Sequence, residues 1–107
     1  LYQEILTKVS TWGTKENMMF VVGATHPQDF NEVRQIVPDH FLLVPGVGAQ
    51  GGNMEEVITY GKGTKNTALF VNASRSILYA SQNEDCMEKA REEVIKLNKE
   101  YQLAIKL

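Results

Sequence analysis

The sequence predicts an α/β domain built on a short parallel sheet. Three observations carry the prediction. Short apolar runs rich in β-formers fall near 18–23, 40–44 and 67–72, and the continuous run at 18–23 has the pattern of a strand buried on both faces. Stretches with apolar residues at helical spacing separate those runs. The stretches alternate one by one, which implies parallel strands joined by right-handed crossovers.

The first helix is marked by Leu1, Tyr2, Ile5, Leu6, Val9 and Trp12, with Gly13 as its stop. It opens at Leu1 with no initiator Met and no cap before it, which points to a cut through a longer chain. The strand MMFVVG, 18–23, follows. Thr25 and Gln28 then have the spacing of a capping box, and Pro27 suits a first helical turn. Phe30, Val33, Ile36 and Val37 give that helix one apolar face, and Pro38 ends it. HFLLV, 40–44, is the second strand. Asn53 caps the next helix, with Glu55 and Glu56 in its positive first turn. Val57, Ile58 and Tyr60 form its apolar side and Gly61 closes it. TALFVN, 67–72, is the third strand. The last helix runs from about Glu84, with Met87, Ala90, Val94, Leu97 and Tyr101 as a core-facing stripe.

The 107 residues make one domain, 1–107. A net charge of −2 gives no basic excess to draw nucleic acid or a membrane surface. The apolar runs are far shorter than the ~20 residues of a membrane span. One cysteine, Cys86, has no partner for an internal disulfide, which fits a reducing, cytoplasmic setting. With so few Cys and His, no metal site is expected.

The stretch LLVPGVGAQGG, 42–52, holds G-x-G-x-x-G in Gly46, Gly48 and Gly51. As a dinucleotide fingerprint it needs an acid at the end of the following strand to hold a ribose. That strand ends in Val71 and Asn72, and Pro45 crowds the first glycine. A phosphate site without a dinucleotide fits better. Glycines bare backbone N–H groups, and a following helix N-terminus favours an anion. The third strand delivers Asn72-Ala73-Ser74-Arg75 to the same rim. Gln50 and Arg75 would add side-chain donors, the arginine as a fork. Three strands cannot close a β/α barrel, which takes eight. They form a small open sheet or are a piece of a barrel.

PGVGAQGG at 45–52, followed one strand later by NASRSILYAS at 72–81, resembles the orotidine 5′-phosphate decarboxylase family. VVGATHPQDFNEVRQIVPD at 21–39 is similar to that family's preceding strand and helix, and VVGAT resembles its longer bacterial branch. The resemblance runs in order across essentially the whole chain. It implies the C-terminal part, the last three β/α units, of a (β/α)₈ TIM barrel that works as a homodimer. It implies conversion of orotidine 5′-monophosphate to uridine 5′-monophosphate and CO₂ in pyrimidine synthesis, with no metal or organic cofactor.

Residue by residue, the resemblance makes Gln50 the bridge between substrate phosphate and pyrimidine. Arg75 becomes a phosphate ligand, beside Gly51 and the backbone N–H of Ser74. Ser74 stands where many members have glycine. Pro45 and Val47 line the pyrimidine side. Where many members read the base with a serine, this chain has Ala24. Thr25 or backbone groups then take that role, and Thr25 also reads as a helix cap. The family's Asp/Lys catalytic array, with its Asp-x-Lys-x-x-Asp motif, has no counterpart here. No catalytic residue is therefore assigned in this chain, and the 107 residues alone are expected to be inactive. They should self-associate or pair with the missing N-terminal part. The competing reading is a small non-catalytic α/β module that binds phosphate.

His26 and His40 flank strands without a placed acid partner and read as loop or cap residues. Cys86 reads as a small core-facing residue, and Trp12, Met18 and Met19 as packing groups. The Glu/Lys pattern of 88–100 reads as a solvated helix face.

Overall fold

Nine elements follow one another in a computed structural model that describes residues 1–48, 53–64 and 68–106. Helix α1 spans Tyr2–Ser10, strand β1 Met19–Val21, and a 3₁₀ turn Pro27–Asp29 leads into α2, Phe30–Ile36. Strand β2, Phe41–Pro45, precedes α3, Met54–Gly61. Strand β3, Leu69–Asn72, is followed by the short α4, Arg75–Leu78, and the long α5, Cys86–Ile105. The three strands form one parallel sheet in the order β1-β2-β3.

Side chains alternate across a pleated sheet, and here the two faces differ sharply. Phe20, Leu42, Val44, Leu69 and Val71 point to the helices and join a core with Phe30, Val33, Val37, Val57 and Ile58. On the other face Met19, Val21, Phe41 and Phe70 are 47, 68, 42 and 54% exposed. Phe41 and Phe70 stack there, with ring centroids 5.2 Å apart. The expectation that the 18–23 strand is buried on both faces is therefore corrected. Among the described residues only one face is covered by helices, and the apolar residues of the other meet solvent. The radius of gyration, 15.1 Å, exceeds the roughly 13 Å of a compact chain of this length.

Strand edges are corrected by a residue or more. β1 is shorter than 18–23, although Val22 N–H still donates to Leu43 O (3.0 Å) and Ala24 N–H to Pro45 O (3.2 Å). Ala68 lies outside β3 because its backbone is left-handed, at φ 69°. Its carbonyl accepts from Leu42 N–H at 3.0 Å and from Arg34 at 2.9 Å, which holds it there.

Asn53 caps α3 as expected, accepting from Glu56 N–H. Gly61 ends that helix for a different reason from a left-handed stop. A Cβ there would lie 3.1 Å from Phe30 Cδ1, so the glycine permits close packing. The capping box does not form, and no side-chain cap bond is made before the 3₁₀ turn or before α2. Proline disfavours helical backbone in the residue before it. That moves the cap position from Thr25 to His26, at φ −129° and ψ 77°.

The last helix starts at Cys86, and its stripe is buried only in part. Leu97 and Tyr101 pack on the core, and Tyr101 Oη donates to Leu69 O at 3.0 Å. Met87 is 83% exposed, Trp12 is 70% exposed, and Cys86 is exposed, so none of these is a core group. The Glu/Lys face carries solvated pairs, Lys89–Glu92 at 3.1 Å and Arg91–Glu88 at 3.8 Å.

At the start of the strands Arg34 forms a knot. Its Nε donates to Gly61 O at 2.7 Å, and its terminal nitrogens to Val37 O at 3.1 Å, His40 O at 2.7 Å and Ala68 O at 2.9 Å. Burial draws its pKa down, and the Asp39 carboxylate acts against that. One side chain thus ties α2 to the end of α3 and to the residues that lead into β2 and β3.

Candidate functional site

The opposite end of the sheet holds the candidate site. Parallel strands all end on the same side, so the loops after β2 and β3 meet there. Pro45 and Asn72 are paired in register, which brings those two loops side by side. After Pro45 the chain turns through Gly46 at φ 89° and Gly48 at φ 87°, backbone that only glycine adopts without strain. Val47 between them is buried in the core at 3% exposure, which fixes the turn to the body of the domain.

After Asn72 the chain enters α4. The Asn72 side-chain amide donates to Ser74 Oγ at 3.3 Å. Ser74 stands at the cap position of α4 and Arg75 at its first residue, both exposed. A cavity of about 140 Å³ lies between the loops, with Pro45, Gly46 and Val47 on one side and Asn72, Ala73, Ser74 and Arg75 on the other. That exceeds a single water's share of about 30 Å³ several times over, enough for a phosphate group. No carboxylate or histidine is among those lining residues. The arrangement offers an arginine fork, hydroxyl and amide groups to an anion. It offers no acid or base for bond chemistry.

Of the residues expected from sequence, Pro45, Val47, Ser74 and Arg75 come together around this cavity. Gln50 and Gly51 lie outside the described residues. Thr25 is exposed and lines a separate groove of about 440 Å³ with His26 and Asp29, beside α1 and β1. His26 is exposed at the head of the 3₁₀ turn. His40 precedes β2, against Phe20 at 5.6 Å between ring centroids. Sequence reasoning did not foresee α4, four residues long and too short for a periodic signal, nor the role of Asn72 in holding Ser74. The available signal was compositional, since Asn and Ser two residues apart are both residues that turns favour.

No protein-family model matches the sequence. Curated relatives do. The chain is 51% identical over 100 residues to an orotidine 5′-phosphate decarboxylase of Flavobacterium johnsoniae, covering 94% of this chain and 36% of the relative. It is 42% identical over 106 residues to that of Porphyromonas gingivalis, covering 99% of this chain and 38% of the relative. The chain thus spans little more than a third of the length of these relatives. Among solved structures it overlays Leishmania donovani UMP synthase with a TM-score of 0.74 at 29% identity, over 94% of this chain and 22% of that one. It overlays Leishmania donovani OMP decarboxylase with a TM-score of 0.72 at 26% identity, over 95% of this chain and 39% of that one. The three parallel β/α units correspond to a portion of those TIM barrels. Along nearly its whole length the chain is thus similar to orotidine 5′-phosphate decarboxylases, matching a stretch little more than a third as long as they are.

Proposed function

We propose that this chain is the phosphate-gripping part of an orotidine 5′-phosphate decarboxylase, which converts orotidine 5′-monophosphate to uridine 5′-monophosphate and CO₂. The observation that carries the reading is the meeting of the glycine turn with Ser74 and Arg75 around one cavity at the ends of adjacent parallel strands. In this reading Arg75 and the Ser74 backbone hold the phosphate with Gln50 and Gly51. Pro45 and Val47 belong to the pyrimidine side, and Thr25, which lines the neighbouring groove at the end of β1, reaches the base from there. The Asp/Lys array that acts on the carboxylate is absent from these 107 residues and comes from other strands of a complete barrel. No metal or organic cofactor takes part. The proposed working form is a homodimer in the cytoplasm.

A stand-alone phosphate-binding module is the competing reading. The exposed apolar face of the sheet, with Val21 at 68% and Phe70 at 54% exposure, argues against it. Such a face is a liability in a free domain.

The test is a chimera that joins the matching remainder of the Flavobacterium johnsoniae relative to this chain. It should decarboxylate orotidine 5′-monophosphate and restore growth without uracil to a strain lacking its own decarboxylase. The 107-residue chain alone should do neither. A folded, inactive chimera, or activity in the isolated chain, would overturn the proposal.

A further inference from the structure

Ser76 carries a hydroxyl near the site that the reading above leaves unused. Its Oγ is shut off from solvent and has no hydrogen-bond partner among the described residues. A buried hydroxyl without a partner is costly, so its presence here calls for a reason. Ser76 directly follows Arg75 in α4, and its Oγ lies 3.9 Å from where a Cβ on Gly48 would stand. It therefore sits behind the cavity, between the two loops that form it. Ser74, the neighbouring hydroxyl, is already engaged by Asn72 at 3.3 Å.

We propose that Ser76 is a positioning residue for the nucleotide's phosphate: its hydroxyl bonds to the backbone of the glycine turn when the anion draws that turn and Arg75 together. It does not touch the ligand. It fixes the spacing between the two loops that do. Gly48 has no side chain to keep the hydroxyl away from the turn's backbone, which is a second use for glycine at a φ of 87°. The inference rests on the phosphate reading of this cavity.

The experiment is titration of the full-length protein carrying this chain with uridine 5′-monophosphate, as parent, Ser76→Ala and Arg75→Ala. Melting of each is measured without ligand. Ser76→Ala should melt no lower than the parent, because it removes a hydroxyl that lacks a partner in the free protein. It should nevertheless bind the nucleotide about tenfold more weakly, the worth of one hydrogen bond. KM for the substrate should rise by a similar factor, with kcat within about twofold. An unchanged affinity in Ser76→Ala, with Arg75→Ala weakened, overturns the role of Ser76 and leaves the phosphate reading standing. A lowered melting point in ligand-free Ser76→Ala also overturns it, because the serine is then merely structural. A parent that binds no nucleotide, or an Arg75→Ala variant that binds as the parent does, overturns the phosphate reading itself.

Discussion

At Arg34 four backbone carbonyls converge on one guanidinium, within 3.1 Å. Removing it leaves those carbonyls to find other donors in a part-buried place. We expect Arg34→Ala in the full-length protein to cost about 2–4 kcal/mol, measured by denaturant unfolding. A loss below about 1 kcal/mol would show that water replaces the guanidinium freely. Arg75 differs in kind, being exposed and at the rim of the cavity. Arg75→Ala should leave melting nearly unchanged and lower kcat/KM about a hundredfold, because a charge-assisted phosphate contact is lost. An unchanged kcat/KM would remove Arg75 from the site. Only one of these arginines was legible in the sequence. Arg75 follows a strand beside a glycine turn, a local pattern. Two of Arg34's partners, Gly61 and Ala68, lie 27 and 34 residues away. They are carbonyls, which every residue has, so no residue type betrays them.

Among the elements, the strands and α3 were readable because their signals are local. Asn53 accepts from Glu56 N–H at 3.2 Å, the bond its position implied. Asn53→Ala should cost about 1 kcal/mol, read as a lowered melting temperature, and no loss would mean that solvent caps α3 equally well. Gly48→Ala tests the turn. There is space for the methyl, since its nearest neighbour is 3.9 Å away, so the cost is backbone strain of about 1–2 kcal/mol. It should also weaken nucleotide binding, and a variant that binds and melts as the parent does would show that the turn relaxes without consequence. The 3₁₀ turn at Pro27–Asp29 replaced an expected capping box because a proline overrides a side-chain spacing. The misread apolar stripes have one cause. Apolar residues at helical spacing, such as Met87 and Trp12, are buried only where another element exists to cover them. Sequence periodicity reports the face but not the presence of that element.

For the whole molecule, the sheet has helices on one face and free edges at β1 and β3 among the described strands. Unpaired edges and an uncovered apolar face drive association. The isolated 107-residue chain should therefore sediment as an oligomer or a broad distribution. A compact, non-associating monomer would contradict this. The order of the units was legible because alternation of strand and helix leaves few topologies open. The open face was not legible from apolar runs. A strand meant for a barrel interior reads the same whether or not the rest of the barrel is at hand.

The carbonyl knot at Arg34 also sets where this chain tolerates extra residues. It draws on Val37, His40, Gly61 and Ala68, so the spacing of the segments that lead into β2 and β3 is fixed by one rigid fork. Among the described residues, the loops at the other end answer to no such fork. A two-residue insertion after Ala80 should leave the full-length protein soluble and its melting within a few degrees. The same insertion between Pro38 and Asp39 should not. Tolerance of longer loops is thereby confined to the end of the sheet that carries the proposed phosphate site.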